Sequence, residues 1–170
     1  MTIIVTKRLQ LKPLNMSEDS IRTQVKWLND PEVTRYSEQR HRKHDFYSQL
    51  GYLTHFGGGP DRFVEIYLGE KMIGTMTAYV DVENSVADMG IMIGDKESWG
   101  RGYGAEAWQA FSDTLLVTGI RKIEAGCMAA NYPMMSIARK TEMIVEGRRI
   151  DHFYFEDELW DMVLWARHSL

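Results

Sequence analysis

The chain has 170 residues, 44% hydrophobic and 26% charged, with four prolines and no low-complexity tract, which excludes a disordered segment and suits one folded domain over 1–170. A formal charge of −4 supplies no global reason to bind nucleic acid or an anionic membrane, so any anion site has to be local. The single cysteine, Cys127, excludes an internal disulfide framework, no cysteine–histidine spacing suits a metal, and a reducing, cytoplasmic setting is expected.

Lys7, Arg8 and Lys12 interrupt what would have to be the apolar centre of a signal peptide, and no later stretch is apolar for long enough to span a bilayer. Arg8 to Leu14 alternates with period two and predicts a first strand ended by Pro13. Ser17 is placed to cap a helix with Glu18 and Asp19 in its first turn and Ile21, Val25 and Leu28 on one face, stopped by Asn29-Asp30-Pro31. A second helix is expected from about Asp45, with Phe46, Leu50 and Leu53 on one side, running to the Gly57-Gly58-Gly59-Pro60 loop.

The middle predicts an antiparallel meander: Phe63 to Leu68, Met72 to Val80 and Val86 to Ile93, joined by polar turns. After Gly100 to Gly104 the period changes, and Ala107, Trp108, Phe111 and Leu115 mark an amphipathic helix. Ile120 to Met128 predicts a strand, Asn131-Tyr132-Pro133 opens a fourth helix, and Arg148 to Ala166 splits at Glu156-Asp157-Glu158 into two strands. The order β-α-α-β-β-β-α-β-α-β-β defines an α/β fold with a mixed, mostly antiparallel central sheet and flanking helices.

The most informative stretch is a strand, Ile91-Met92-Ile93, followed by Trp99-Gly100-Arg101-Gly102-Tyr103-Gly104-Ala105 and a helix. Alternating glycines let successive backbone N–H groups converge, and the helix adds its positive end, an arrangement suited to phosphate. A Walker loop would need Gly-Lys-Ser/Thr, which is absent. A dinucleotide fold would need a parallel βαβ unit with three glycines in fixed spacing, and the strands before this run are antiparallel in pattern.

These residues resemble the GNAT superfamily of acyl-CoA-dependent N-acyltransferases, whose third helix opens on an Arg or Gln, two residues, then Gly-x-Gly or Gly-x-Ala. Gly102-Tyr103-Gly104 matches the glycines, while Trp99 stands at the Arg/Gln position, as in the branch with aromatic-Gly-Lys/Arg-Gly-x-Gly. Arg8-Leu9-x-Leu11 and Trp27 to Tyr36 are similar to the opening of the branch that holds the ribosomal-protein N-terminal acetyltransferases, and the segment after Tyr36 resembles amino-sugar acetyltransferases. Asn131, Lys140 and Glu146-Gly147 match the fourth helix and the strand after it, where Glu142-Met143 replaces the usual Gly-Phe.

The resemblance implies acetyl-CoA as co-substrate. Its pyrophosphate would lie on the amides of Gly100, Arg101, Gly102, Tyr103, Gly104 and Ala105, and its pantetheine along Ile91, Met92 and Ile93, in contact with Asn131. No activated nucleophile is visible, so direct transfer in a ternary complex is expected, with the acidic Asp88 on the fourth expected strand and Glu124 on the fifth as candidates for general base. Alanine stands at position 138, where the family often has an acidic tyrosine. Cys127 and Met134, Met135 and Met143 are expected to be packing.

The basic run Arg35, Arg40, His41, Arg42, Lys43 and His44 falls where the family borders its acceptor. Arg40, Arg42 and His44 are therefore expected to bind an anionic acceptor, a nucleotide-linked amino sugar supplying both amine and phosphates. The competing expectations are a peptide N-terminus as acceptor, and a non-catalytic acyl-CoA-binding domain on the same fold.

Overall fold

The computed structural model describes residues 2–169. A short strand β1 (Ile4–Val5) precedes β2 (Gln10–Pro13); the two helices α1 (Glu18–Leu28) and α2 (Phe46–Thr54) follow. Next come β3 (Arg62–Leu68), β4 (Lys71–Asp81) and β5 (Val86–Ile93), then α3 (Tyr103–Val117), β6 (Lys122–Met128), α4 (Tyr132–Lys140), β7 (Ile144–Phe155) and β8 (Glu158–His168). The eight strands form one sheet in the order β1-β2-β3-β4-β5-β6-β8-β7. All pairs are antiparallel except β5 with β6, which α3 connects as a crossover. The observed order carries one strand more than expected, since β1 is too short to show a period.

Side chains alternate across a strand, so neighbouring residues face opposite layers. Val64 and Ile66 of β3, Met76 and Ala78 of β4, Ala87 and Met89 of β5 and Ile123 of β6 pack with Trp108 and Phe111 of α3 and Met135 and Ala138 of α4 in the main core. Phe63 points the other way and packs with Ile21 of α1 and Leu53 of α2. Each of these fully buried large side chains is worth about 1.5–3 kcal/mol relative to exposure.

The helix starts follow local chemistry. Ser17 accepts from the Ser20 amide, and Asp45 and Ser48 cap α2 reciprocally at 2.8 and 3.0 Å. The buried face of α1 is centred on Ser20, Gln24 and Trp27 as well as Ile21, rotated from the apolar stripe because two polar residues serve a buried network. Gln24 donates to Ser20 at 3.1 Å and accepts from Gln49 at 2.8 Å, while the fully buried Glu65 of β3 takes hydrogen bonds from Ser20 and, at 2.9 Å, from Tyr67. That burial and the Glu65 carboxylate push the Tyr67 phenol up to about 12.

Two contacts place the segment after α1. Gly94, just past β5, lies so close to α1 that a β-carbon there would come within 1.9 Å of the Trp27 ring, which seats the end of α1 against the end of β5. At the other end the β7–β8 hairpin turns through Glu156 and Asp157, both left-handed at φ 52° and 63°. Its tip meets the segment after α1: Arg35 bonds both Glu156 oxygens at 2.7 and 3.0 Å, and Tyr36 packs on Phe155 with ring centres 5.6 Å apart.

Candidate active site

The parallel pair β5 and β6 is in register only through Val86 with Lys122, Ala87 with Ile123 and Asp88 with Glu124. Beyond those pairs the strands part, and the β6-facing edge of β5 from Met89 to Ile93 has no ladder partner among the described residues. Ile91, Met92 and Ile93 all lie on this edge. Unpaired backbone groups there can receive an extended polar chain as an added strand would.

The glycine run begins where that edge ends. Gly100 and Gly102 adopt φ of 72° and 80°, left-handed values that glycine takes without strain. Trp99, in the position where the family carries Arg or Gln, donates its indole N–H to the Ile93 carbonyl at 2.7 Å and ties the run to the end of β5. Gly102 gives α3 no side-chain cap, and among the described residues the amides of Tyr103, Gly104 and Ala105 meet no acceptor. Free amides, a helix N-terminus and glycines without side chains are a donor set that fits a diphosphate. Asn131 lies across the gap at the start of α4, where its Oδ1 accepts from the Met134 amide at 3.1 Å. It caps the helix, and its Nδ2 donates to nothing among the described residues.

Asp88 is on the opposite face from the main core. Register places it between Tyr79 of β4 and Glu124 of β6, one row of three side chains across the sheet. They line a hollow of about 510 Å³ together with Asp61, Asp81, Asn84 and Arg121. Asp88 is exposed on the sheet face, and desolvation by the walls around it, assisted by the Glu124 charge, pushes its pKa up to about 6. Glu124 is engaged differently: Lys122 lies 3.2 Å from it, and the same ammonium holds Glu146 at 2.6 Å. Tyr79 and Asp61 were invisible as site residues in the sequence. Tyr79 bonds Tyr52 at 2.7 Å, and Asp61 is held by His55 at 2.7 Å and by the Val80 amide at 2.8 Å.

The basic segment is partly neutralised within the protein. Arg35 is committed to Glu156, and Arg40 pairs with Glu38 at 2.8 Å while stacking over Phe155 at 5.5 Å. Arg42 and Lys43 have no ion pair among the described residues, and with Arg40 and His44 they line a second hollow of about 430 Å³. The side chain of Asn29 holds the His44 backbone at both ends, at 2.8 and 2.9 Å. The Nε2 of His44 is buried without a partner.

Cys127 faces the main core, its Sγ 3.8 Å from the Met135 sulfur, and burial pushes its thiol up. It is packing, as the sequence suggested. Among the described residues no group of three metal-ligating side chains comes together, and no helix is long and apolar enough to cross a membrane.

The α/β layering, the parted parallel strands and the uncapped helix after the glycines are those of an acyltransferase, and residues 8–144 match the family described as Acetyltransferase (GNAT) domain. The chain belongs to the GNAT acetyltransferase family; it is an enzyme with acetyl-CoA as its donor. The fold is shared with RimL, a ribosomal-protein alpha-N-acetyltransferase in complex with coenzyme A, at TM-score 0.86 and 19% identity over 98% of each chain. It is shared with spermidine N-acetyltransferase from Vibrio cholerae in complex with coenzyme A and spermine, at 0.84 and 16% identity over 96% of this chain and 97% of that one. A microcin self-immunity acetyltransferase, MccE, in complex with acetyl-CoA and AMP, gives 0.81 and 12% over 96% and 93%. No curated protein matches the sequence.

Proposed function

We propose that this chain acetylates a primary amine by direct attack on the thioester of acetyl-CoA, with Asp88 as general base. The observation that carries the reading is the Asp88 carboxylate, with a pKa near 6, beside the point where β5 and β6 part. A base must be ionised near neutrality and within reach of the proton it takes. The free amides of Tyr103, Gly104 and Ala105 would bind the pyrophosphate, and the open edge from Ile91 to Ile93 would hold the pantetheine, with Asn131 donating to it from Nδ2. Asp88 takes a proton from the acceptor ammonium, the amine nitrogen bonds the carbonyl carbon, and as the C–S bond breaks the second proton of that nitrogen passes to the departing sulfur, leaving the amide and coenzyme A thiol. A backbone N–H of the open edge near Met92 would polarise the carbonyl oxygen. Glu124, held by Lys122, would set its carboxylate beside Asp88 in the same row.

The walls around Asp88 favour a cationic acceptor. Asp61, Asp81, Asp88 and Glu124 line the hollow with Arg121, whose Nε is bound to the Asn84 carbonyl at 2.7 Å, while Lys122 pairs with Glu124 and His55 with Asp61 from beside it. An amine with a second positive group, a polyamine or a basic N-terminal peptide, gains there what a phosphate would lose. Enzymes of this fold that are named for spermidine and for a ribosomal protein support an amine acceptor of either kind.

The nucleotide-linked amino sugar keeps one specific observation, the hollow of Arg40, Arg42, Lys43 and His44. Free-thiol release with three acceptors, spermidine, an N-terminal peptide and a nucleotide-linked amino sugar, decides the class. Cationic acceptors are expected to turn over with the highest kcat/KM. Turnover of the sugar alone would reverse the order, and turnover of none, with acetyl-CoA still bound, would place the acceptor outside these three classes.

A further inference from the structure

Arg8 sits in the turn between β1 and β2, yet its side chain lies against the glycine loop more than ninety residues downstream. Its Nη1 donates to the Arg101 carbonyl at 3.0 Å, its Nε to Glu106 Oε2 at 2.6 Å, and its guanidinium lies over the Tyr103 ring at 4.5 Å. Its Nη2 lies 3.5 Å from where a β-carbon of Gly102 would be. The Arg8 amide and the Thr6 hydroxyl donate to the other Glu106 oxygen, at 2.8 and 2.6 Å.

Two physical effects meet here. Arg8 bonds the carbonyl of Arg101, and because the C=O and N–H of a trans peptide point opposite ways, this fixes the Gly102 amide on the side of the loop away from Arg8. Glu106 lies in the first turn of α3, where its charge would repel a diphosphate on the same helix end, and Arg8 offsets it. Burial alone would raise the Glu106 pKa, and the hydrogen bonds from Thr6 and Arg8 outweigh it, so the charge persists and needs its counterion.

We propose that Arg8 is a positioning residue for the acetyl donor, setting the glycine loop's shape and cancelling the Glu106 charge so that the helix end accepts pyrophosphate. This rests on the assignment of the loop as the pyrophosphate site. Lysine cannot replace it, because one ammonium cannot bond the carbonyl and the carboxylate while stacking on Tyr103.

The test compares acetyl-CoA with S-acetyl-pantetheine, a donor without phosphates. In the wild-type enzyme a much lower KM for acetyl-CoA supports the loop assignment independently of Arg8; equal values would overturn the assignment and this inference with it. Arg8→Ala is expected to raise the acetyl-CoA KM about tenfold. It should leave kcat, the acceptor KM and all constants with acetyl-pantetheine near wild type. Arg8→Lys should not restore the KM, whereas adding Glu106→Gln to Arg8→Ala should recover part of it. An unchanged acetyl-CoA KM in Arg8→Ala, or an equal loss with both donors, overturns the role of Arg8 and leaves the loop assignment standing. If the alanine variant does not fold, Arg8→Gln carries the same comparison.

Discussion

At neutral pH the Asp88 carboxylate is charged in a hollow that packing has partly dried, with Glu124 as its register partner. Its pKa is about 6 in the fold against a usual 3.8, so between those values the folded state holds more protons than the unfolded chain, and stability falls as pH rises. Asp88→Asn removes that charge. The variant is expected to melt above wild type at about pH 7.5, with the difference shrinking as pH falls through 6 towards 4. Its activity should move the other way. Wild-type kcat/KM should fall below about pH 6 as Asp88 takes its proton, and Asp88→Asn should lose about 100-fold just above that pH, where the acceptor is still an ammonium. Wild-type rates across the pH range would remove Asp88 from the mechanism. A gain in stability with a loss of rate is the pattern of a residue kept for its chemistry.

The start of α3 and the β7–β8 hairpin make element-scale predictions of opposite kinds. Gly102→Glu would force a side chain onto a left-handed position and set a carboxylate before the free amides. Acetyl-CoA affinity by titration should drop by about 100-fold or more in protein that still melts cooperatively. Arg35→Ala cuts an exposed ion pair to the hairpin tip, so stability should change by less than about 1 kcal/mol. The acceptor KM should nonetheless shift, since the segment from Tyr36 to His44 loses its anchor, and the acetyl-CoA KM should not. These elements differ in how well the sequence disclosed them. Val86–Ile93 and the helix after the glycines were legible because alternation gives way to a 3.6-residue period across the glycines. β7 begins four residues before the expected Arg148, because Ile144, Val145 and Glu146 are all exposed on a sheet edge and show no in–out pattern. The cap at Ser17 and the helix starts at Asp45 and Asn131 could be seen in advance, being local chemistry. What could not be seen was pairing at a distance: Arg35 with Glu156, Arg8 with Glu106, and Tyr79 beside Asp88 each depend on strand order, and a charge run does not reveal which of its members are already spent.

At the scale of the whole molecule, the sheet of eight strands is continuous on either side of the β5–β6 junction and held there by three registered residue pairs. The two halves also meet through α3, α4 and the core between them, and at the hairpin tip, where Arg35 holds Glu156. If the donor's pantetheine lies along Met89 to Ile93, binding extends the ladder where β5 and β6 part. Amide exchange along that edge should slow on adding coenzyme A, and the melting temperature should climb with its concentration, by the equivalent of about 2.7 kcal/mol at one hundred times Kd. Lack of protection at those amides, with binding otherwise intact, would place the pantetheine elsewhere. With the donor on that edge, the protein's survival would depend on its own substrate. A protease that cuts the transiently opened form samples a population set by stability, so degradation should quicken when acetyl-CoA and coenzyme A are both scarce. The seam that admits the donor would then couple the lifetime of the enzyme to the supply of what it consumes.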